Sequence, residues 1–206
     1  MKGIDLIRFS YESTAPNQNK ISQGFTIGYS GLNFKDTAQN TALVPQQFKT
    51  SISLKNFPFV DVINFAEETV GDTKDPSAKQ VAAAKAMSFL PQKLKDAGTS
   101  LMLKNTSFGN ASYNVVMDGI LKAEPASQIG GVGTLNIEAT GLDAVMTELQ
   151  KTPGAAGLAQ PLTMFRLISE QKGDKNIAKI ELNAQGNVSV NGKDMSALMG
   201  GGAPAQ

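Results

Sequence analysis

The stretch "QFKTSISLKNF" (residues 47–57) constrains this chain more than any other part of it. Phe48, Thr50, Ile52 and Leu54 fall in one phase, and Lys49, Ser51, Ser53 and Lys55 in the other. A period of two puts alternate side chains on opposite faces of a strand, so the segment reads as a half-buried strand with one wet face. Buried parallel strands are near-continuous apolar runs, so the alternation implies antiparallel pairing. "IAKIELNA" (residues 177–184) repeats it, with Ala178, Ile180 and Leu182 against Lys179, Glu181 and Asn183.

Further strands are expected over residues 4–11, 21–34, 100–106, 112–122, 133–139 and 187–190. In "GFTIGYSGLNF", Phe25, Ile27 and Tyr29 share one phase while Leu32 and Phe34 have the other. Gly31 is the natural site for a bulge that switches the phase. Near the end of the chain, "NAQGNVSVNG" (residues 183–192) reads as a small hairpin followed by an Asn191-Gly192 turn.

Helical spacing appears four times. "PFVDVINFAEETV" puts Phe59, Val62, Ile63, Ala66 and Val70 on one stripe behind Pro58, and "GLDAVMTELQK" does so for Leu142, Val145, Met146 and Leu149. A longer segment opens with Asp75 as N-cap and Pro76 at N1 and closes at Gly98, with Pro91 expected to kink or divide it. The last begins near Pro161, carries Leu162, Phe165 and Ile168, and is expected to stop at Gly173.

These pieces fall into an order of β-β-β-α-α, β-β-β-α-α, β-β, with a period of roughly 80 residues. The expected architecture is α+β: one long, twisted antiparallel sheet of about eight strands with amphipathic helices packed on one face. A single domain is expected over residues 1–198, with pseudo-repeats at about 1–98 and 99–173 and a closing hairpin at 174–198. Residues 199–206 read as a disordered Gly-rich tail. Because Ile4 to Tyr11 already reads as a strand, a lead segment ahead of Met1 is also expected.

The closing pattern carries a family resemblance. "LVPQQFKTSISLKNFPF", then "GLDAVMTELQ", then "ISEQKGDKNIAKIELNAQGNVSVNGKDM" is similar to the C-terminal part of an uncharacterised family of proteobacterial cell-envelope proteins, distantly AsmA-like. The resemblance spans residues 40 to 198 or so, and its motifs are structural signatures. It implies a periplasm-facing domain with a role in the envelope, in handling lipid or assembling the outer membrane, and an N-terminal membrane anchor. It supplies no catalytic residues.

Composition narrows the chemistry. The chain has no Cys, His or Trp, so thiolate nucleophiles, Ser-His-Asp triads and the common zinc and copper sites are excluded. Its 19 basic and 18 acidic residues leave a net charge of +1 with Lys scattered along the chain. That is no footprint for nucleic acid. "SEQK" (residues 169–172) has the S-x-x-K spacing of penicillin-recognising enzymes but lacks their other elements. "GGVGTL" (residues 130–135) precedes a strand, whereas a phosphate loop must precede a helix. Glu67, Glu68, Asp143 and Glu148 fall on polar helix faces or in a first turn, where a solvated or dipole-pairing role suffices. The expectation is a protein that is not an enzyme and takes no cofactor and no metal.

The remaining feature is the apolar content of the helices. Phe59, Ile63, Met87, Met146 and Phe165 lie on the stripes best placed to line a trough between helices and sheet, where a lipid or other amphiphile could lie. The same residues would equally serve as ordinary core. In that case the chain is a scaffolding module for envelope proteins, without a ligand cavity.

Overall fold

The computed structural model describes residues 4–17, 19–32, 43–70, 76–127, 129–152 and 156–195. The expected Gly-rich tail and the N-cap Asp75 lie outside them. In chain order the elements are β1 (Leu6–Asn17), β2 (Lys20–Ser30), β3 (Gln47–Phe57), α1 (Phe59–Val70) and α2 (Pro76–Ala97). They continue as β4 (Ser100–Gly109), β5 (Asn114–Ala123), β6 (Gly131–Thr140), α3 (Leu142–Lys151) and α4 (Ala156–Ile168). The chain then forms β7 (Glu170–Lys172), β8 (Lys175–Leu182), β9 (Val188–Val190) and β10 (Lys193–Asp194).

All strands join one antiparallel sheet of ten, and its order follows the chain: β1-β2-β3-β4-β5-β6-β8-β9-β10, with β7 also pairing β8. The far edge of β8 is shared, since β7 pairs Asn176 and Ile177 while β9 pairs Ile180 to Leu182. Between those two short partners the Asn191 side chain completes the ladder. Its Oδ1 accepts the Lys179 N–H at 2.8 Å and its Nδ2 donates to the Ile177 carbonyl at 3.0 Å. Asn191 and Gly192 have φ of 50° and 77°, the left-handed pair that a two-residue hairpin turn requires.

Two boundaries differ from the sequence reading. The second strand ends at Ser30, not Phe34: Gly31 turns left-handed (φ 68°) and Leu32 N–H bonds to the Gln46 carbonyl. The last helix stops at Ile168, because Glu170–Lys172 leaves it to pair with β8 and Gly173 (φ 63°) opens the turn between those strands. Of the two outcomes expected at Pro91, a kink or a division, the division does not occur: α2 is one helix.

The helices form two antiparallel hairpins, α1 on α2 and α3 on α4. Phe65 stacks on Phe89 in the first, ring centroids 4.4 Å apart, with Lys93 over the Phe89 ring and paired to Asp61 at 3.7 Å. Arg166 pairs with Asp143 in the second. Because three strands separate one hairpin from the next, strand direction reverses between them. The β3–β4 connection therefore leaves at the end of the sheet holding Phe57, Ser100 and Lys122, and the β6–β8 connection at the end holding Thr140, Asn114 and Lys175.

The core is slight. Its buried apolar residues are Ala97, Tyr113, Ala139, Leu142, Leu149, Ala178 and Val190, and among the described residues no large side chain is fully buried. The chain's accessible surface is 13410 Å², against roughly 9,200 Å² for a compact monomer of its mass.

Candidate functional site: an apolar sheet face

The ladder register assigns every strand residue to a face. Phe9 lies opposite Ile27 and Tyr11 opposite Phe25; Phe25 opposite Ile52; Ile52 opposite Leu103 and Leu54 opposite Leu101. The row continues with Leu101 opposite Leu121, Met117 opposite Ile137, Leu135 opposite Ile180, and Leu182 opposite Val188. Opposed residues share a face, so one side of the sheet is apolar from β1 to β9. At ~4.8 Å per strand these eight neighbours span about 34 Å. The other side carries Arg8, Ser10, Glu12, Lys49, Ser51, Lys104, Asp118, Glu138, Lys179 and Glu181. It is a solvated face laced by ion pairs such as Lys175–Glu138 at 2.7 Å, a hydrogen bond that raises the Lys175 pKa.

Two bulges keep this apolar face in phase. Asn56 and Asn105 have φ of 54° and 49°, and each adds a residue to its strand where the register shifts. Asn tolerates that conformation better than most residues. The Asn105 N–H, freed from the ladder, donates to Asp118 Oδ1 at 2.7 Å. Beyond it Thr106 meets Thr50, hydroxyl to hydroxyl at 2.8 Å, both buried. They are a self-satisfied polar pair within the apolar side.

The β1–β2 end of this face, with Leu101 and Leu121, is the least covered, and across the middle of the sheet the face is mostly half-buried. Ile7, Phe9, Tyr11, Phe25, Ile27, Leu101 and Leu121 are between 42% and 69% exposed. Ala139 and Ala178, in the same rows, are 1% and 0% exposed, and α4 contacts β8. A hollow of about 240 Å³ lies on the same face, with Leu101, Leu103, Leu121, Leu135, Ile180 and Leu182 around it. Its floor is Gly119 and Gly133. Gly119 lies between Leu103 and Leu135, and Gly133 between Leu121 and Leu182, so two positions without side chains open the hollow. A Cβ at Gly119 would come within 2.9 Å of the Thr134 carbonyl oxygen, and one at Gly133 within 2.3 Å of that of Ile120. Both sites thus demand glycine.

The five residues singled out on the helices fall into two groups. Phe59 and Ile63 are exposed on α1. Met87 belongs to α2, its side chain outside the described residues. Met146 and Phe165 are half-buried on α3 and α4, which leave the other end of the sheet. The leucines around the hollow were not singled out. Their signal was present in the strand alternation, but whether helices would cover that face is a tertiary matter.

The carboxylates considered for acid-base work are spread out. Glu67 and Glu68 are exposed, Asp143 pairs with Arg166, and Glu148 pairs with Lys151 at 2.8 Å. Ser169 hydrogen-bonds Asn176, and Lys172 pairs with Glu170 at 3.4 Å. Among the described residues no group of three acidic side chains could hold a metal ion. No helix among them is long and apolar enough to cross a membrane. Comparison with protein-family models, with characterised proteins and with solved structures yields no match.

Proposed function

We propose that this chain is a non-catalytic binding domain whose apolar sheet face takes up the hydrocarbon part of a lipid or similar amphiphile. The observation that carries the reading is the row of large apolar side chains on one side of the sheet, half-buried around the hollow and up to 69% exposed towards β1. Monomeric proteins rarely expose a large contiguous apolar patch unless it binds something. Each methylene buried there is worth ~0.8 kcal/mol, so a chain of modest length would bind without any polar motif. The hollow over Gly119 and Gly133 lies on that face, and it is the place where the reading puts the ligand.

The envelope resemblance of residues 40–198 fits this reading and suggests the periplasm as its setting. In the same reading both helical hairpins stand on the apolar side as end walls; for the second hairpin, the burial of Ala139 and Ala178 and the contact of α4 with β8 support it. The β-β-β-α-α order, which occurs twice, is then a repeat turned over at each step by its odd strand number. Superposing residues 48–70 on residues 133–151 tests that point.

Native mass spectrometry of the protein after mild extraction tests the function. A copurifying amphiphile lost in Leu103→Lys but kept in Ile63→Lys supports the reading. Protein that is bare under all mild conditions, and that takes up no added fatty acid, contradicts it.

A further inference from the structure

The two edges of the sheet are built differently. One ends in β9 and β10, of three and two residues, with Lys193 on the outermost strand. Short edges bearing Lys resist pairing with another chain. The other edge is β1, twelve residues long, and among the described residues it pairs with β2 alone. Among the described residues no strand lies along its outer side. Its apolar-face side chains Ile7, Phe9 and Tyr11 are, at 68%, 69% and 58%, among the most exposed large apolar residues of the chain.

The polar face of the same strand carries Arg8, Ser10 and Glu12, all exposed, and neither Arg8 nor Glu12 makes an ion pair among the described residues. Their spacing is self-complementary. If a second copy of β1 ran antiparallel beside the first with Ser10 at the two-fold axis, Arg8 of each copy would oppose Glu12 of the other. Phe9 of each would oppose Tyr11 of the other, and Ser10 would face Ser10. A shift of two residues one way places Arg8 opposite Ser10, and the other way Glu12 opposite Ser10. A shift of four places Arg8 against Arg8, or Glu12 against Glu12, where like charges repel.

We propose that β1 is a dimerisation edge, which pairs antiparallel with β1 of a second copy of this chain in the register centred on Ser10. The local two-fold of an antiparallel pair is perpendicular to the sheet, so both copies keep their apolar faces on the same side. The dimer joins two sheets of ten strands into one and carries the apolar face unbroken across the junction. It covers the outer flanks of Phe9 and Tyr11, the part of the face that the chain alone leaves barest. The pairing is independent of what occupies the hollow.

Light scattering on purified protein, with charge-exchange variants, tests the register. The wild type runs at twice its 21.7 kDa chain mass. Arg8→Glu and Glu12→Arg alone each put like charges opposite one another twice per dimer and raise the dissociation constant about tenfold or more. Mixing the two variants restores a dimer, now hetero, because the new acidic side chain of one copy then faces the new basic side chain of the other. The double variant restores the homodimer. A second measurement needs no charge change: in this Cys-free chain, Ser10→Cys forms a disulfide-linked dimer on mild oxidation. Ser13→Cys does not, since those positions lie about 20 Å apart across the pair. A wild type that stays monomeric at high concentration overturns the proposal. So does a dimer indifferent to the single exchanges, a mixture that does not reassociate, or cross-linking equal at positions 10 and 13.

Discussion

The hydroxyls of Thr50 and Thr106 meet at 2.8 Å across the β3–β4 ladder, both nearly inaccessible to water, within an otherwise apolar side of the sheet. Each satisfies the other. Replacing one of them with Val leaves a buried hydroxyl without a partner, at a cost of ~1–3 kcal/mol, while replacing both removes the need for pairing. Urea denaturation of Thr50→Val, Thr106→Val and the double variant should therefore show a double change well below the sum of the singles.

The bulge at Asn105 supports a second expectation. Its positive φ and its N–H bond to Asp118 both depend on a residue that tolerates the left-handed region. Asn105→Gly should be neutral or slightly stabilising, and Asn105→Val should cost ~1–2 kcal/mol. Asp118→Ala removes the acceptor from an exposed site and should cost ~0.5–1.5 kcal/mol. Thermal melts of the three variants check the ranking.

Tyr113 gives an alkaline signature. It is buried, and its hydroxyl donates to the Leu43 carbonyl at 2.9 Å. Desolvation, then the nearby Tyr29, raises its pKa above the ordinary value of 10.0. The unfolded chain therefore loses that proton first. Stability from Tyr113 is intact below about pH 10 and falls as the pH rises from there towards the folded-state value. Tyr113→Phe should lose ~1 kcal/mol at pH 7 and show a shallower decline above pH 10. Chemical denaturation across pH 8–11 measures both effects.

The strand faces were legible in the sequence because a period of two needs nothing beyond the strand itself. Phe48, Ile52 and Leu54 share a side as the alternation required, and antiparallel pairing followed from the same pattern. The element order was legible too. Two short strands were hidden: Glu170–Lys172 continued a polar helix end without a break in composition, and Lys193–Asp194 is too short to carry any pattern. Where the helices sit was not legible. Phe59, Ile63 and Met146 lie on helices, but helical spacing does not say what a stripe faces. Which end of the sheet a hairpin leaves from depends on the parity of the strands before it. For Gly119 and Gly133 the strand pattern carries no such signal, and only their ladder partners reveal that they open a hollow.

The central claim is that the apolar sheet face, and not the helix stripes, receives the ligand. A long-chain fatty acid carrying a photoactivatable group in its tail tests this most directly, with adducts located by peptide mass spectrometry. The account predicts saturable labelling concentrated on Leu101, Leu103, Leu121, Leu135, Ile180 and Leu182, the residues around the hollow. Labelling that concentrates on Phe59, Ile63 or Met146, or that fails to saturate anywhere, would contradict it.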